Sequence, residues 1–166
     1  SLLCKLGVTL KKILFILLGS LFFLTAQEKT SKTPPAIKCV VTGDEIDLDE
    51  SSAYKDGKVY FCCAGCKMDF EESPKKFSKA ANFQLVLTNQ YEQTSCPITG
   101  DSPGHDHHKA KDMRKTMVEG LSVDLCCPGC LKKVNKSKDK FSMLFSDKAF
   151  AKGFTLKSDS KSKNKM

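Results

Sequence analysis

The chain has 166 residues, with 27 basic against 19 acidic side chains, a formal charge of +8, nine cysteines, three histidines and no tryptophan. That length leaves room for one ordinary domain or two very small ones, and it excludes a large multidomain enzyme. Only one stretch approaches membrane-spanning length, so a polytopic membrane bundle is excluded too.

Residues 1–26 carry Lys5, Lys11 and Lys12, no acid, and an apolar run from Ile13 to Leu24 followed by Thr25 and Ala26. A basic start, a short apolar core and a small residue at the exit are the parts of a secretory signal, cleaved or retained as an anchor. This predicts an exported chain, in the periplasm or cell envelope, that meets membrane only through residues 1–26 if they are uncleaved. Residues 27–37 are polar, contain Pro34-Pro35 and read as a linker. At the other end, 155–166 is dominated by Lys, Ser, Asn and Asp, the composition of a disordered basic tail.

Between linker and tail lies a repeat. The first copy opens Cys39-Val40-Val41-Thr42-Gly43-Asp44 and the second Cys96-Pro97-Ile98-Thr99-Gly100-Asp101. Each then reaches a cluster, Cys62-Cys63-Ala64-Gly65-Cys66 and Cys126-Cys127-Pro128-Gly129-Cys130. Phe70 and Val134 lie eight residues past the start of their clusters, and Phe77 and Phe141 lie fifteen past it. The lead cysteines are 57 apart and the clusters 64 apart, so copy two has seven more residues, in the stretch holding His105, His107 and His108. The repeat divides the chain into a first module at 38–87 and a second, with the histidine insert, at 88–154.

The elements follow the repeat. Lys58–Phe61, after Asp56-Gly57, is expected to be the second strand of a hairpin that runs into the cysteine cluster. Residues 67–73 are expected as a short helix stopped before Pro74, with Phe70 and Phe77 packed on the hairpin. Phe83–Leu87 is expected to be a strand linking the copies. In copy two, Leu121, Val123 and Leu125 alternate with Ser122 and Asp124, a half-buried strand, and Leu131, Val134 and Phe141 follow on the helical side. The fold class expected is α+β, two small cysteine-rich modules of hairpin plus short helix in tandem. Modules of this size rarely hold a core without a metal or disulfides.

The spacing of the thiols suits a metal. Cys62 and Cys66, or Cys126 and Cys130, sit on a turn entering a helix, where sulfurs can point at one ion with Cys39 or Cys96. Soft sulfur donors suit Zn(II) or Cu(I) and argue against Mg or Ca. The fourth position is open to Cys63 or Cys127, a histidine, water or another subunit, and a three-coordinate Cu(I)-like site is also compatible. Two other readings stand beside this one. Export favours disulfides, and the eight cysteines left once Cys4 falls in the signal allow 105 pairings. Cys63-Ala64-Gly65-Cys66 and Cys127-Pro128-Gly129-Cys130 have the spacing of thiol–disulfide exchange proteins, although the βαβ surroundings of such enzymes are not visible. His105, His107 and His108 form a weaker candidate metal site within one loop.

One cysteine, a gap of about twenty residues and then cysteine-x3-cysteine is a pattern that resembles the TRASH/YHS-like family of small metal-binding modules. Cys39, Cys62 and Cys66 match it, and Cys96, Cys126 and Cys130 match with a longer middle. Tyr60-Phe61-Cys62, Phe70, Pro74, Phe77 and the Thr-Gly after each lead cysteine also fit. The Tyr-His-Ser tripeptide is lacking and Val134 stands where copy one has Phe70. The resemblance covers roughly 38–87 and 95–145. It implies a treble-clef-like fold and a role in heavy-metal sensing, trafficking or resistance, in an exported bacterial protein.

Neither a serine–histidine–acid arrangement nor a phosphate loop is apparent, so no enzymatic activity is expected. Nucleic acid is not expected as a partner either, because the charge is misplaced for it. Residues 1–26 contribute +3 and the segment from Lys157 another +3, leaving +2 on 27–156. Within that, 39–79 carries −3 and 96–152 carries +4. The partners expected are a metal ion and an envelope protein.

Overall fold

The computed structural model describes residues 35–102 and 114–157, and these form one α+β body. The signal-like segment, the histidine loop and the end of the tail lie outside the described residues. No helix of the described residues is long and apolar enough to cross a membrane.

Copy one begins with a hairpin. Strands β1 (Asp47–Tyr54) and β2 (Gly57–Phe61) pair antiparallel, Tyr54 opposite Gly57 and Ser52 opposite Val59, with the register broken between Asp47 and Ser51. Val59 and Phe61, two apart on one face, are fully buried. Helix α1 (Ala64–Glu72) follows at once and buries Cys66 and Phe70, four residues apart and therefore on one face. Pro74 fits the first position of a 3₁₀ turn (Pro74–Phe77), which leads into α2 (Ser78–Leu87). Phe70 stacks edge-on against Tyr54 at 5.5 Å and tilts against Phe61 and Phe77, as its spacing suggested.

The strand expected at Phe83–Leu87 is instead the second half of α2. The apolar run Phe83–Leu87 looks like a strand only when read alone. Extended back through Lys79, Ala80 and Ala81 it has good helix formers, and Ser78, Ala81, Asn82 and Leu85 recur at helical spacing on the buried side. The link between copies is made by a short strand, β3 (Tyr91–Gln93).

Copy two repeats the plan. Strands β4 (Arg114–Val118) and β5 (Leu121–Leu125) pair through a tight turn at Glu119-Gly120, and Val123 and Leu125 occupy the buried positions that Val59 and Phe61 take in copy one. Helix α3 (Pro128–Lys136) buries Cys130 and Val134. Where copy one has the continuous α2, copy two has α4 (Lys140–Phe145) and α5 (Asp147–Gly153). The break falls where Ser146 accepts the Ala149 N–H and caps α5, while Asp139 accepts the Ser142 N–H and caps α4. The final strand β6 (Phe154–Leu156) pairs antiparallel with β3, Glu92 opposite Thr155. Equivalent segments of the two copies thus pair with each other.

One core runs through both copies. Phe83 of copy one meets Phe145 at 4.9 Å and Phe141 at 5.2 Å, and Tyr91 meets Phe150 at 5.0 Å. Phe145 also stacks on Phe154. The fully buried Asn82 amide donates to the Phe145 carbonyl at 2.9 Å and to Asp147 Oδ1 at 3.0 Å, so the polar groups at this junction are partnered. Lys55 adds an ion pair to Asp147 at 3.3 Å, too exposed to contribute much.

Because the copies share this core, the protein is expected to unfold in one cooperative transition. Phe145→Ala removes the ring that joins them and should cost about 3–5 kcal/mol. Chemical denaturation followed by far-UV circular dichroism and by aromatic absorbance checks both statements, since separate transitions for the two probes would show independent modules.

Candidate metal centres

Each lead cysteine stands at the head of a tight turn set by the same three residues after it. The Cys39 N–H donates to the Asp44 carbonyl at 2.8 Å, and the Gly43 N–H donates back to the Cys39 carbonyl at 2.9 Å. In copy two the Cys96 N–H donates to the Asp101 carbonyl at 3.0 Å and the Gly100 N–H to the Cys96 carbonyl at 2.7 Å. Gly43 and Gly100 have φ of 80° and 90°, a region that residues with a Cβ enter at a cost. The threonine before each glycine brings its hydroxyl to the opposite arm. Thr42 Oγ1 lies 3.5 Å from Cys62 Sγ, and Thr99 Oγ1 lies 3.4 Å from Cys126 Sγ. The Thr-Gly-Asp of each opening is therefore a turn device that also touches the sulfur of the cluster.

The hairpins and helices deliver the other two sulfurs. The strands β2 and β5 end just before Cys62 and Cys126, and Cys66 and Cys130 lie in the first turns of α1 and α3. Two triads result, Cys39–Cys62–Cys66 and Cys96–Cys126–Cys130, and within each the sulfurs all lie within 4.8 Å of one another. Cys62 to Cys66 and Cys126 to Cys130 are both 3.6 Å, Sγ to Sγ. Sulfurs bound tetrahedrally to zinc at about 2.3 Å would be roughly 3.8 Å apart, whereas a disulfide needs about 2.05 Å. The spacing is that of ligands around an ion, and the eight described cysteines are free thiols.

Cys63 and Cys127 stand outside the triads, at the N-cap positions of α1 and α3. Cys63 Sγ is 3.9 Å from Cys62 Sγ. His105, His107 and His108 lie outside the described residues.

The electrostatics of the first triad are uneven. Burial resists ionisation of Cys39, yet the backbone N–H groups of Thr42, Val41 and Cys62 outweigh it and bring the thiol down to about 7. Cys66 is pushed up to about 12 by burial and by the neighbouring thiols Cys62, Cys63 and Cys39. Copy two repeats the signs. Cys96 is lowered, burial being overcome by the N–H groups of Cys126, Thr99 and Ile98, while Cys130 is raised by burial and by Cys126 and Cys96. In each triad the backbone favours the thiolate at the lead cysteine, and a bound cation is what would let the others ionise beside it.

A pair of glutamines, which the sequence did not signal, ties the two arms of each site together. In copy one Gln84 is almost fully buried. Its Oε1 accepts the Tyr60 N–H at 2.7 Å, and its Nε2 donates to the carbonyls of Tyr60 at 3.0 Å and Lys38 at 2.8 Å. In copy two Gln93 Oε1 accepts the Asp124 N–H at 2.9 Å, and its Nε2 donates to the carbonyls of Asp124 at 2.7 Å and Ser95 at 2.9 Å. Tyr60 and Asp124 are each two residues before the cluster, while Lys38 and Ser95 are each one before the lead cysteine. The same clamp thus comes from a helix in one copy and from a linking strand in the other. Copy two is further held where Gly153 meets Pro97. A Cβ at 153 would come within 3.0 Å of Pro97 Cα, next to Cys96, and the Gly153 carbonyl accepts the N–H groups of Thr94 and Ser95.

The chain matches no protein-family model, no curated protein and no solved structure.

Two outcomes follow from this geometry. Gln93→Leu leaves the Asp124 and Ser95 backbone groups unpartnered and should weaken the second site about 10–100-fold while sparing the first, as loss of a ligand-orienting group typically does. Competition titrations with a chelator, which separate the two equivalents, check this. Metal affinity at the first site should also fall as pH drops through about 7, because below that value Cys39 too must lose a proton to bind. Isothermal titration at several pH values, counting protons released per ion, measures the effect.

Proposed function

We propose that the chain is an exported metal-binding protein that captures, buffers or delivers a soft ion, Zn(II) or Cu(I), at two sites. The ligands would be Cys39, Cys62 and Cys66 in the first site and Cys96, Cys126 and Cys130 in the second. The observation that carries this reading is the duplication of one arrangement down to its supports. Both triads have a 3.6 Å sulfur pair, a threonine hydroxyl on the cluster sulfur, a glycine turn and a glutamine clamp. Three sulfurs suit a trigonal Cu(I), and zinc would complete its tetrahedron with a further ligand.

The family suggested by the spacing, tandem TRASH/YHS-like modules of treble-clef type, is part of this proposal, as are export by residues 1–26 and the absence of enzymatic activity. A structural zinc module presenting an interaction surface is the reading from another class. The shared core speaks against it. A body of about a hundred residues with buried Phe61, Phe70, Phe145 and Leu144 does not need a metal to bury enough apolar surface, unlike a lone module of half that size.

Metal content and free-thiol count on protein purified under anaerobic conditions from its native compartment test the proposal. Two equivalents of zinc or copper per chain are expected, and a metal-free chain with four disulfides would sink it. Chelation of the loaded protein should leave the far-UV and aromatic circular dichroism largely unchanged, whereas collapse of the fold would favour the structural role.

A further inference from the structure

We infer that Cys63 is the relay thiol of the first site, carrying the ion from the buried triad to the surface where a thiol-bearing acceptor takes it. This deepens the function proposed above and rests on it. Cys63 is not a fourth member of that ligand set as it stands, because its sulfur lies outside the group within 4.8 Å. It is nevertheless 3.9 Å from Cys62 Sγ, which is itself 3.6 Å from Cys66 Sγ. Cys62 and Cys66 can therefore serve two sets in turn, an inner one with Cys39 and an outer one with Cys63.

Exposure gives the sequence of sets a direction. Cys39 and Cys66 are 3% and 7% exposed, Cys62 is half-buried, and Cys63 is open to solvent with Ala64 and Gly65 exposed beside it. Copy two has the same four cysteines in a less exposed setting. There Cys126 is buried as well as Cys96 and Cys130, Cys127 is half-buried, and Pro128 replaces Ala64. The relay belongs to the first site, and the second holds its ion.

In the step, a Cys63 sulfur–metal bond forms as the Cys39 sulfur–metal bond breaks, and the ion keeps its oxidation state. Any proton that Cys63 gives up is matched by one that Cys39 takes from solvent. Acceptor thiolates then displace Cys63 and the two remaining sulfurs one for one, each released sulfur taking up a proton as each acceptor thiol gives one up, so no oxidant or reductant is required.

The test uses the full chain loaded with two equivalents of Zn(II) and challenged with excess chromogenic chelator in a stopped-flow instrument. Wild type should release zinc in two phases of equal amplitude, fast from the first site and slow from the second. Cys63→Ser should slow the fast phase at least tenfold while still binding two equivalents, and Cys127→Ser should leave it unchanged. A fast phase unaltered in Cys63→Ser, a single phase in wild type, or a Cys63→Ser chain holding only one equivalent would each overturn the relay. A wild-type chain that takes up neither Zn(II) nor Cu(I) would overturn the function proposed above and this role with it, an outcome distinct from the other three.

Discussion

Three sulfurs within 4.8 Å of one another in a largely buried cluster cannot all ionise without a cation to share, and much of the fold is arranged around that constraint. Placing them takes two separated arms of chain. One arm is the turn that opens at Cys39 or Cys96, and the other is the strand end and helix start at the cluster. Neither arm is rigid alone, since a turn of six residues and a two-stranded hairpin are both marginal in water. What fixes one against the other is a set of polar contacts between them, the threonine hydroxyl above and the glutamine clamp below. These contacts are directional, unlike core packing, and so control sulfur positions to the few tenths of an ångström that metal ligation requires.

The copies are not beads on a string. Strands β3 and β6, which follow the last helix of their respective copies, pair antiparallel about Glu92 and Thr155, the arrangement expected of related segments placed around an approximate two-fold axis. Helix α2 then packs its Phe83 among Phe141 and Phe145 of the other copy. Sharing a core removes the size problem that would face a single module, and it frees the candidate metal sites from having to hold the fold together. A site relieved of that duty can lose and regain its ion, which a delivery protein needs and a zinc-nucleated fold cannot tolerate.

Much of this was legible in the residues. The repeat, the hairpin strands at Lys58–Phe61 and Leu121–Leu125, the helix after the first cluster and the six triad cysteines all follow from local spacing, and local signals survive folding when tertiary contacts agree with them. Three features did not follow. Phe83–Leu87 was ambiguous because a short apolar run fits either period, and only the helix-forming residues upstream decide it. The shared core was hidden because nothing in the spacing of Phe83, Phe141 and Phe145 says which copy a ring will face. Gln84 and Gln93 left no signal, since an amide that clamps backbone groups from elsewhere has no periodicity or motif of its own.

That last point bears on how the two sites differ. The clamp is the same in chemistry and target but comes from non-equivalent positions, Gln84 in a helix of copy one and Gln93 beyond that helix, in the strand leading to copy two. At the offset that relates the clusters, the residue matching Gln84 is Lys148, which cannot accept a backbone N–H. Copy two therefore depends for its clamp on the segment that precedes its own lead cysteine, whose turn is also packed where Gly153 meets Pro97. Copy one is clamped from its own helix and leaves Cys63 uncovered. The asymmetry of the clamp thus arises from what the link between the copies reaches rather than from the candidate ligands. One sulfur set repeated twice thus stands in a more exposed setting in copy one and a more buried one in copy two, with the same candidate ligands.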